Sequence, residues 1–412
     1  MTTAAGSPPR LFGAFDRHNF GDLLFPHLLE ALLPGHAFGV AGLAARDLRA
    51  FGGHRVSRVG AGPRPGQLIH AGGELLTCTA WQAAVMLLDA VEAAAVIARY
   101  DADPAAGAKW VARQLGTARA MPYVMGREAL APGGKLIFNA VGGVEWAMLA
   151  DTQRAEVKTA LADADWLSVR DHVTQDALRS EGIEAALCPD PAVMVAQCRG
   201  EEIGKHRRQG EVPRLREAFP QGYLACQFSA DFADDASLDA LARGLVRIRR
   251  ETGLGVALFR AGAAPWHDDP QCHERLVRRL PAGTAKMFES LHLWDICALI
   301  AASRGTVTSS LHGRIVALAY GLPRISLAPP QLGARPGKVA AFAETWEPEA
   351  MPRCVAIDRI EPALMQALAV HEGALQENAA QLRAQYQESQ AQWAGLLPSP
   401  GLRNNPDMSA PA

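Results

Sequence analysis

The chain lacks the features that mark several large classes of protein. Its seven cysteines include no C-x-x-C pair, which argues against a structural zinc module or a disulfide framework and suits a reducing compartment. A formal net charge of −2 gives no electrostatic reason to expect nucleic acid as a partner. The most apolar window, residues 81–98, contains Asp89 and Glu92, so it predicts a buried alanine-rich helix and no membrane span.

What remains is the composition of an ordinary soluble enzyme, with 49% hydrophobic and 20% charged residues. A chain of 412 residues exceeds one typical hydrophobic core, so we expect two domains of similar size. Residues 1–9 are small and polar and contain no apolar run of the kind found in signal peptides. These observations predict a cytoplasmic protein.

Short apolar strands alternate with helical patterns along most of the chain. The predicted strands lie at residues 11–15, 67–71, 136–141, 166–169, 185–188, 223–228, 256–259, 285–288, 305–309 and 324–328. This alternation predicts parallel, doubly wound sheets that bind ligands at the carboxyl edges of their strands. We assign residues 1–196 to a first Rossmann-like domain and 197–345 to a second, with the polar stretch 197–221 as the linker.

The end of the chain has a different pattern. Within residues 346–397, leucines and aromatic residues recur on one stripe from about Glu361 to Trp393, which predicts one long helix. The stripe needs a partner surface, either the body of the protein, with the first domain favoured, or a second subunit. Residues 398–412 are typical of a disordered tail.

The strongest chemical signal lies near residue 310. Ser309 and Ser310 are good N-cap residues that separate a β-branched strand from the amphipathic pattern 311–320. The unpaired N–H groups and the dipole of a helix N-terminus attract anions. His312 and Arg314 in the same turn therefore indicate chemistry on a negatively charged substrate.

Two turns of the first half of the chain are further candidates for substrate binding. Gly72 and Gly73 follow a strand and precede Glu74, and such a pair lets the backbone approach a phosphate or carboxylate. A merely tight turn explains them equally well. Asn19 and Asp22 are cap-type residues at the start of the first helix, which is a structural explanation for both.

Two arginines stand at predicted strand ends. Arg170 suits bidentate binding of a carboxylate or phosphate, although an ion pair with Asp171 or Asp190 is the structural alternative. Arg260 is a weaker candidate for the same task. The neighbouring run His267-Asp-Asp269 is too compact for its side chains to converge on a metal, and Asp269 is better explained as a helix cap, so we expect no metal site.

In their order along the chain, these elements resemble the polysaccharide pyruvyl transferase family. The matching motifs are Asn19-Phe-Gly-Asp22, the Gly72-Gly73 pair, Ser168-Val-Arg-Asp171 with Pro189-Asp-Pro191, and Ser309-Ser-Leu-His-Gly313 with Gly321-Leu-Pro323. The resemblance implies two Rossmann-like halves facing a cleft, as in glycosyltransferases of the B type. It also implies transfer of a pyruvyl group from phosphoenolpyruvate to a sugar of an exopolysaccharide or cell-surface glycan, which forms a pyruvate ketal and releases phosphate.

The resemblance assigns roles to the candidate residues. His312 would be the general acid, because its ordinary pKa lies near working pH, and Arg170 would hold the donor's carboxylate or phosphate. The remaining candidates for substrate binding are Asn19, Asp22, Gly72, Gly73, Glu74, Arg260, Ser309, Ser310 and Arg314, with Asp22 or Glu74 as the base. Phosphoenolpyruvate is then the donor substrate, no cofactor is needed, and the acceptor is a free glycan or a lipid-linked oligosaccharide. Peripheral association with the inner face of the membrane and a homo-oligomer stay open.

One departure from the family pattern leaves alternatives. Many members carry an arginine immediately before Leu-His, where this chain has Ser310. Either Arg314, one turn later, supplies that charge, or the phosphate is bound differently. A nucleotide-sugar glycosyltransferase of the B type and a non-catalytic glycan-assembly protein of the same fold are the two competing functions.

Overall fold

The apolar runs predicted as strands form two sheets in the computed structural model, which describes residues 8–329 and 337–399. The strands of the first sheet are β1 (Arg10–Phe12), β2 (Gly39–Gly42), β3 (Arg46–Asp47), β4 (Arg55–Arg58), β5 (Gln67–His70), β6 (Lys135–Val141), β7 (Trp166–Val169) and β8 (Ala186–Leu187). Their order across the sheet is β3-β4-β2-β1-β5-β6-β7-β8, and β3 alone runs antiparallel, against β4. All five predicted strands of this half are confirmed, whereas β2, β3 and β4 were not predicted.

Helices connect most of these strands. They are α1 (Phe20–Leu32), α2 (Ala80–Met86), α3 (Ala90–Tyr100), α4 (Pro104–Leu115), α5 (Asp151–Ala162) and α6 (His172–Ser180). The predicted single buried helix over 81–98 is wrong, because Asp89 interrupts it. The Asp89 carboxylate accepts the Glu92 N–H at 2.8 Å and so starts a new helix, α3, of which only Ala93 is buried.

The second sheet is entirely parallel. Its strands are β9 (Tyr223–Gln227), β10 (Gly255–Leu258), β11 (Ala285–Met287), β12 (Gly305–Thr308), β13 (Arg324–Leu327) and β14 (Cys354–Val355), in the order β11-β10-β9-β12-β13-β14. The five strands predicted here are confirmed, and the short β14 is additional. Two parallel sheets with crossover helices are the predicted architecture.

The helices of the second half are α7 (Val195–His206), α8 (Glu211–Ala218), α9 (Asp235–Thr252), α10 (Pro270–Val277), α11 (Leu293–Ala301), α12 (Leu311–Ala319) and α13 (Lys338–Trp346). The polar stretch 197–221 is not a solvated linker, since α7 and α8 bury Ile203, Val212 and Leu215 in the same core as α11. The prediction that Asp269 caps a helix is confirmed, because its carboxylate accepts the N–H of Gln271 at the start of α10.

The C-terminal segment forms two helices instead of one. They are α14 (Ile360–Ala369) and α15 (Glu372–Ala394), and His371 separates them by capping α15 through its side chain. α15 docks on the first domain, where Trp393 is fully buried beside Leu11 and Phe25. Residues 400–412 of the predicted tail lie outside the described residues.

A shared apolar core and two loops join the domains. Phe20 and Leu24 of α1 belong to one buried cluster with Ile315 of α12. The loops after β1 and β10 also meet, where the Phe20 N–H donates to the Ala261 carbonyl at 2.9 Å. The carboxyl edges of the two sheets therefore face each other. None of the described helices is long and apolar enough to cross a membrane.

Candidate active site

His312 lies where the second domain touches the first. It occupies the first turn of α12, whose start is fixed by Ser310, because the Ser310 hydroxyl accepts the Gly313 N–H at 3.2 Å. The imidazole packs edge-on against Phe25, with ring centroids 5.3 Å apart. A Cβ at Gly21 would lie 2.0 Å from the ring, so only glycine allows this approach. The Asn-x-Gly-Asp element and the His-Gly helix, distant in sequence, are thus in direct contact.

A chain of charged groups runs from His312 into the first domain. Its Nε2 atom lies 3.6 Å from Oδ2 of Asp190, and the same oxygen accepts from Nη1 of Arg170 at 3.0 Å. Nη2 of Arg170 donates in turn to Oε2 of Glu74 at 2.6 Å. Asp190 is completely buried and His312 is 7% exposed. The motifs Gly-Gly-Glu, Ser-Val-Arg-Asp and Pro-Asp-Pro therefore converge on the histidine.

The electrostatics keep Asp190 and Arg170 charged. Burial favours the neutral acid of Asp190, but the opposing charges of His312 and Arg170 outweigh it and hold the pKa of Asp190 below its ordinary value. Burial likewise disfavours the Arg170 cation, yet Glu74 and Asp190 raise the pKa of Arg170 well above its usual range. A permanent carboxylate thus lies beside His312, where it can stabilise positive charge during proton transfer.

The role predicted for Arg170 needs correction. Its side chain is 2% exposed and its terminal nitrogens are engaged by Glu74 and Asp190, while its Nε is buried without a partner among the described residues. The structural alternative, an ion pair with Asp190, is the arrangement observed. Arg170 therefore holds Asp190 in position, and its terminal nitrogens are not free to bind a substrate.

Arg314 is also not placed to bind an anion. Its fully buried guanidinium donates to both carboxylate oxygens of Glu347, at 2.6 and 3.0 Å, and to Ser326 and the carbonyls of Pro352 and Arg353. These contacts occupy all three nitrogens. The suggestion that Arg314 supplies the missing family arginine is therefore corrected, because no donor is left for a substrate.

The turn before α12 is held by Gln227, which the sequence analysis did not single out. Its Oε1 accepts from the Thr308 hydroxyl at 2.6 Å and from the Ser310 N–H at 2.9 Å, and its Nε2 donates to Asp268 at 2.6 Å. Burial raises the pKa of Asp268 to about 7. The Ser309 hydroxyl accepts a backbone N–H, so both predicted serines serve the shape of the turn.

Two backbone donors stay available at this helix start. The N–H groups of Leu311 and His312 donate to no group within residues 8–329 and 337–399. Such first-turn donors, aligned with the helix dipole, form a site for an anion. The imidazole of His312 and the two donors therefore belong to the same turn.

The glycine pair adjoins the start of α1. Gly72 and Gly73 have φ of +87° and +91°, which side-chain-bearing residues rarely adopt. A Cβ at Gly73 would lie 3.5 Å from Oδ1 of Asp22, so this carboxylate borders the glycine turn. Glu74 is engaged by Arg170 and by the Val144 N–H. Of the two predicted bases, Asp22 alone has no hydrogen-bond partner among the described residues.

Three cationic side chains, those of Arg17, Arg260 and Lys338, lie in or near the loop that follows β10. Burial lowers the pKa of His18, and the positive charge of Arg260 lowers it further. Burial, with the charges of Lys338 and Arg17, lowers the pKa of His267 to about 3. Arg260 and Lys338 have no ion pair with another described residue. Sequence reasoning singled out Arg260 but missed Arg17 and Lys338, which stand in no strand-end motif.

The sequence profile of polysaccharide pyruvyl transferases matches residues 122–330, about half of the chain. The chain belongs to the polysaccharide pyruvyl transferase family. The matched region contains Arg170, Asp190, Ser309, Ser310 and His312, so the turn before α12 and the charged chain, apart from Glu74, lie within the part that matches this pyruvyl transferase family. No curated protein sequence matches the chain significantly.

A solved structure supports the two-domain fold of this family member. A UDP-N-acetylglucosamine 2-epimerase from Listeria monocytogenes superposes with a TM-score of 0.53 at 10% identity, over 95% of this chain and 96% of that one. A UDP-GlcNAc 2-epimerase from Methanocaldococcus jannaschii matches with a TM-score of 0.46 at 12% identity, over 91% of this chain and 99% of that one. The first likeness shows the glycosyltransferase B-like fold of the pyruvyl transferase and nothing about its substrate.

Proposed function

We propose that this protein transfers a pyruvyl group from phosphoenolpyruvate to a sugar of an exopolysaccharide or cell-surface glycan, forming a pyruvate ketal and releasing phosphate. The observation that carries the proposal is the position of His312, beside the Asp190 carboxylate and in the first turn of a helix whose N–H groups can bind an anion, in a member of the pyruvyl transferase family. A general acid next to an anion site is what an enol phosphate donor requires.

The donor would bind at the edge of the second domain. The N–H groups of Leu311 and His312 supply two hydrogen bonds for a phosphate, and Arg260 and Lys338, which form no ion pair within the described part of the chain, supply positive charge. The phosphate is thus bound without the arginine that many family members carry at position 310. Because His312 is only 7% exposed, the facing loops have to separate for the donor to enter.

The chemistry follows from these positions. The C2–C3 π electrons of the enol take a proton from His312, which leaves an oxocarbenium-like centre at C2 that one sugar hydroxyl attacks. A second hydroxyl displaces phosphate from C2 and completes the ketal. The proton of one hydroxyl restores His312, and the proton of the other passes through a base to the departing phosphate. Asp22, whose carboxylate has no described hydrogen-bond donor, is the base that accepts a hydroxyl proton.

The proposed reaction is tested by measuring phosphate release from phosphoenolpyruvate with a panel of free and lipid-linked glycans. We expect release that depends on one acceptor class, and a pyruvylated product by mass spectrometry. A protein that binds phosphoenolpyruvate but releases no phosphate with any acceptor would be a non-catalytic assembly protein. Stronger thermal protection by a nucleotide than by phosphoenolpyruvate would favour a glycosyltransferase.

Replacing Arg260 with alanine should weaken phosphoenolpyruvate binding by about 10–100-fold, the size of one hydrogen bond to a charged group. The reason is that Arg260 has no structural ion pair to lose, so its charge is available to the donor. Isothermal titration calorimetry measures the affinity directly. Arg278→Ala, which removes an arginine with a 65% exposed side chain from the same domain, is the control and should bind normally. Equal affinities for the two variants would remove Arg260 from the site.

Turnover should not need a metal ion. The cationic side chains and helix donors described above neutralise the phosphate in the way a divalent ion otherwise does. Dialysis against a chelator should therefore leave the rate of phosphate release unchanged. A loss of activity that one divalent ion restores would contradict this expectation.

A further inference from the structure

Two histidines and a glutamate from separate parts of the sequence meet beside α1. His27 and Glu30 are three residues apart on this helix and therefore share a face, and His54 comes from the loop before β4. One ligand atom from each of the three side chains lies within 4.8 Å of the others. The sequence analysis found no metal motif because this set is assembled only by the fold.

The contacts within this trio suit a metal site. The Glu30 carboxylate is 3.2 Å from Nε2 of His54, and the rings of His27 and His54 are 4.0 Å apart at their centroids. Nε2 of His27 is 2.7 Å from the Gly52 carbonyl, which can only accept, so this nitrogen carries the proton and Nδ1 keeps its lone pair. Metal-bound histidines commonly donate their second N–H to a backbone carbonyl in this way.

His54 also has a ring nitrogen that no described residue engages. Its Nδ1 is buried without a hydrogen-bond partner among the described residues.

We propose that His27, Glu30 and His54 bind a zinc ion, with solvent in the fourth position. Two imidazoles and one carboxylate form a ligand set that zinc accepts in tetrahedral geometry. The ion would tie α1 to the loop 48–54, which in turn touches the second domain, since a Cβ at Gly52 would lie 2.9 Å from the His292 ring. His27 is six residues beyond Gly21, about 9 Å along the helix axis. The ion is therefore a structural clamp and no part of the transfer reaction.

A second trio provides an internal comparison. His206, His292 and Asp295 also bring ligand atoms within 4.8 Å of one another. Here the carboxylate is already satisfied, because Nδ1 of His206 lies 2.6 Å from one Asp295 oxygen and the Ser290 hydroxyl donates to the other. A metal there would have to displace the Ser290 donor, which lies outside the trio, whereas the hydrogen bond of Glu30 is to His54, itself a proposed ligand. We therefore place the zinc ion at His27, Glu30 and His54 and not at this second trio.

The test is calorimetric titration of the chelator-treated full-length protein with zinc chloride, together with a thermal melt. The wild type should bind one zinc ion per chain and melt at a higher temperature with zinc than without. His54→Ala should weaken binding by at least about 100-fold, since even loss of an outer-shell partner costs 10–100-fold. His206→Ala, in the comparison trio, should bind as the wild type does.

Each other outcome overturns the assignment. Zinc binding that survives His54→Ala, that is lost in His206→Ala, or that is undetectable at micromolar zinc would show that this trio does not hold the ion. If His54→Ala fails to fold, Glu30→Gln is the variant to use, because it keeps the side-chain volume and removes the charge. Its zinc affinity should likewise fall below that of the wild type. Phosphate release measured with and without zinc is a separate readout, which tests the proposed reaction independently of zinc binding.

Discussion

His312→Gln should lower the rate of acceptor-dependent phosphate release by about 10²–10⁴, the contribution of a positioned general acid. Glutamine cannot deliver a proton, but it fits the first turn of α12 and leaves the backbone N–H groups that would hold the phosphate. Asp190 keeps its bond to Arg170 at 3.0 Å and that to the Ala192 N–H at 2.9 Å. We therefore expect phosphoenolpyruvate affinity and melting temperature to change little.

His172→Gln is the matched control for this experiment. His172 also starts a helix after a parallel strand, but its side chain is exposed. The control should keep both its rate and its melting temperature. Near-normal phosphate release by His312→Gln would remove this histidine from the mechanism. Calorimetry with phosphoenolpyruvate on the same preparation separates a lost proton donor, which leaves affinity intact, from a collapsed site, which does not.

Glu347→Gln should destabilise the protein by about 3–5 kcal/mol, the cost of removing one partner from a buried ion pair. Glu347 is fully enclosed between Arg314 and Arg324, with oxygen to nitrogen distances of 2.6 and 2.7 Å. A neutral amide would leave two buried guanidinium groups without a counter-charge. Urea denaturation of wild type and variant gives the difference in the free energy of unfolding.

The exposed pair of Asp47 and Arg49 supplies the control. Its side chains are 47% and 66% exposed, so solvent screens the pair and Asp47→Asn should leave the free energy of unfolding nearly unchanged. A cost for Glu347→Gln as small as that of Asp47→Asn would contradict the ion-pair argument. If the substitution instead weakened phosphoenolpyruvate binding in a fully folded protein, Arg314 would regain its place in the site.

The burial of Glu347 between two arginines also predicts that the free energy of unfolding depends on pH. Burial alone would raise the pKa of Glu347, but Arg314 and Arg324 more than compensate and lower it below the ordinary value. A depressed carboxylate pKa stabilises the fold above the unfolded-state value and loses that effect as the pH falls through the folded-state value. The stability difference between wild type and Glu347→Gln should therefore shrink below the ordinary titration range of glutamate.

Local sequence signals were sufficient for the sheets and for the elements that meet at the site. Parallel strands are buried on both faces, so runs such as residues 136–141 and 305–309 are recognisable without their partners. Glycine pairs that follow a strand, such as Gly72 and Gly73, indicate a turn, and both of these glycines have a positive φ. The position of His312 in the first turn of a helix followed from the same kind of local pattern.

The roles of the arginines could not be predicted because their partners are distant in sequence. Arg170 meets Glu74 across 96 residues, and Arg314 meets Glu347 across 33. A strand end or a helix start tells where an arginine lies but not whether its donors are already engaged. Whether they are engaged depends on burial, since a buried cation needs a counter-charge. Among the three candidate arginines Arg170, Arg260 and Arg314, Arg260 alone has no ion pair with another described residue, and only the assembled fold shows this.

The way α15 returns to the first domain has a consequence for protein synthesis. Trp393 and Leu397 complete the apolar cluster around Leu11, Phe25 and Ile69, so the domain translated first cannot finish its core until residues 393–397 have been synthesised. At typical elongation rates, the roughly 200 residues in between take about 10–40 s. During that interval the nascent first domain exposes the apolar surface that α15 later covers.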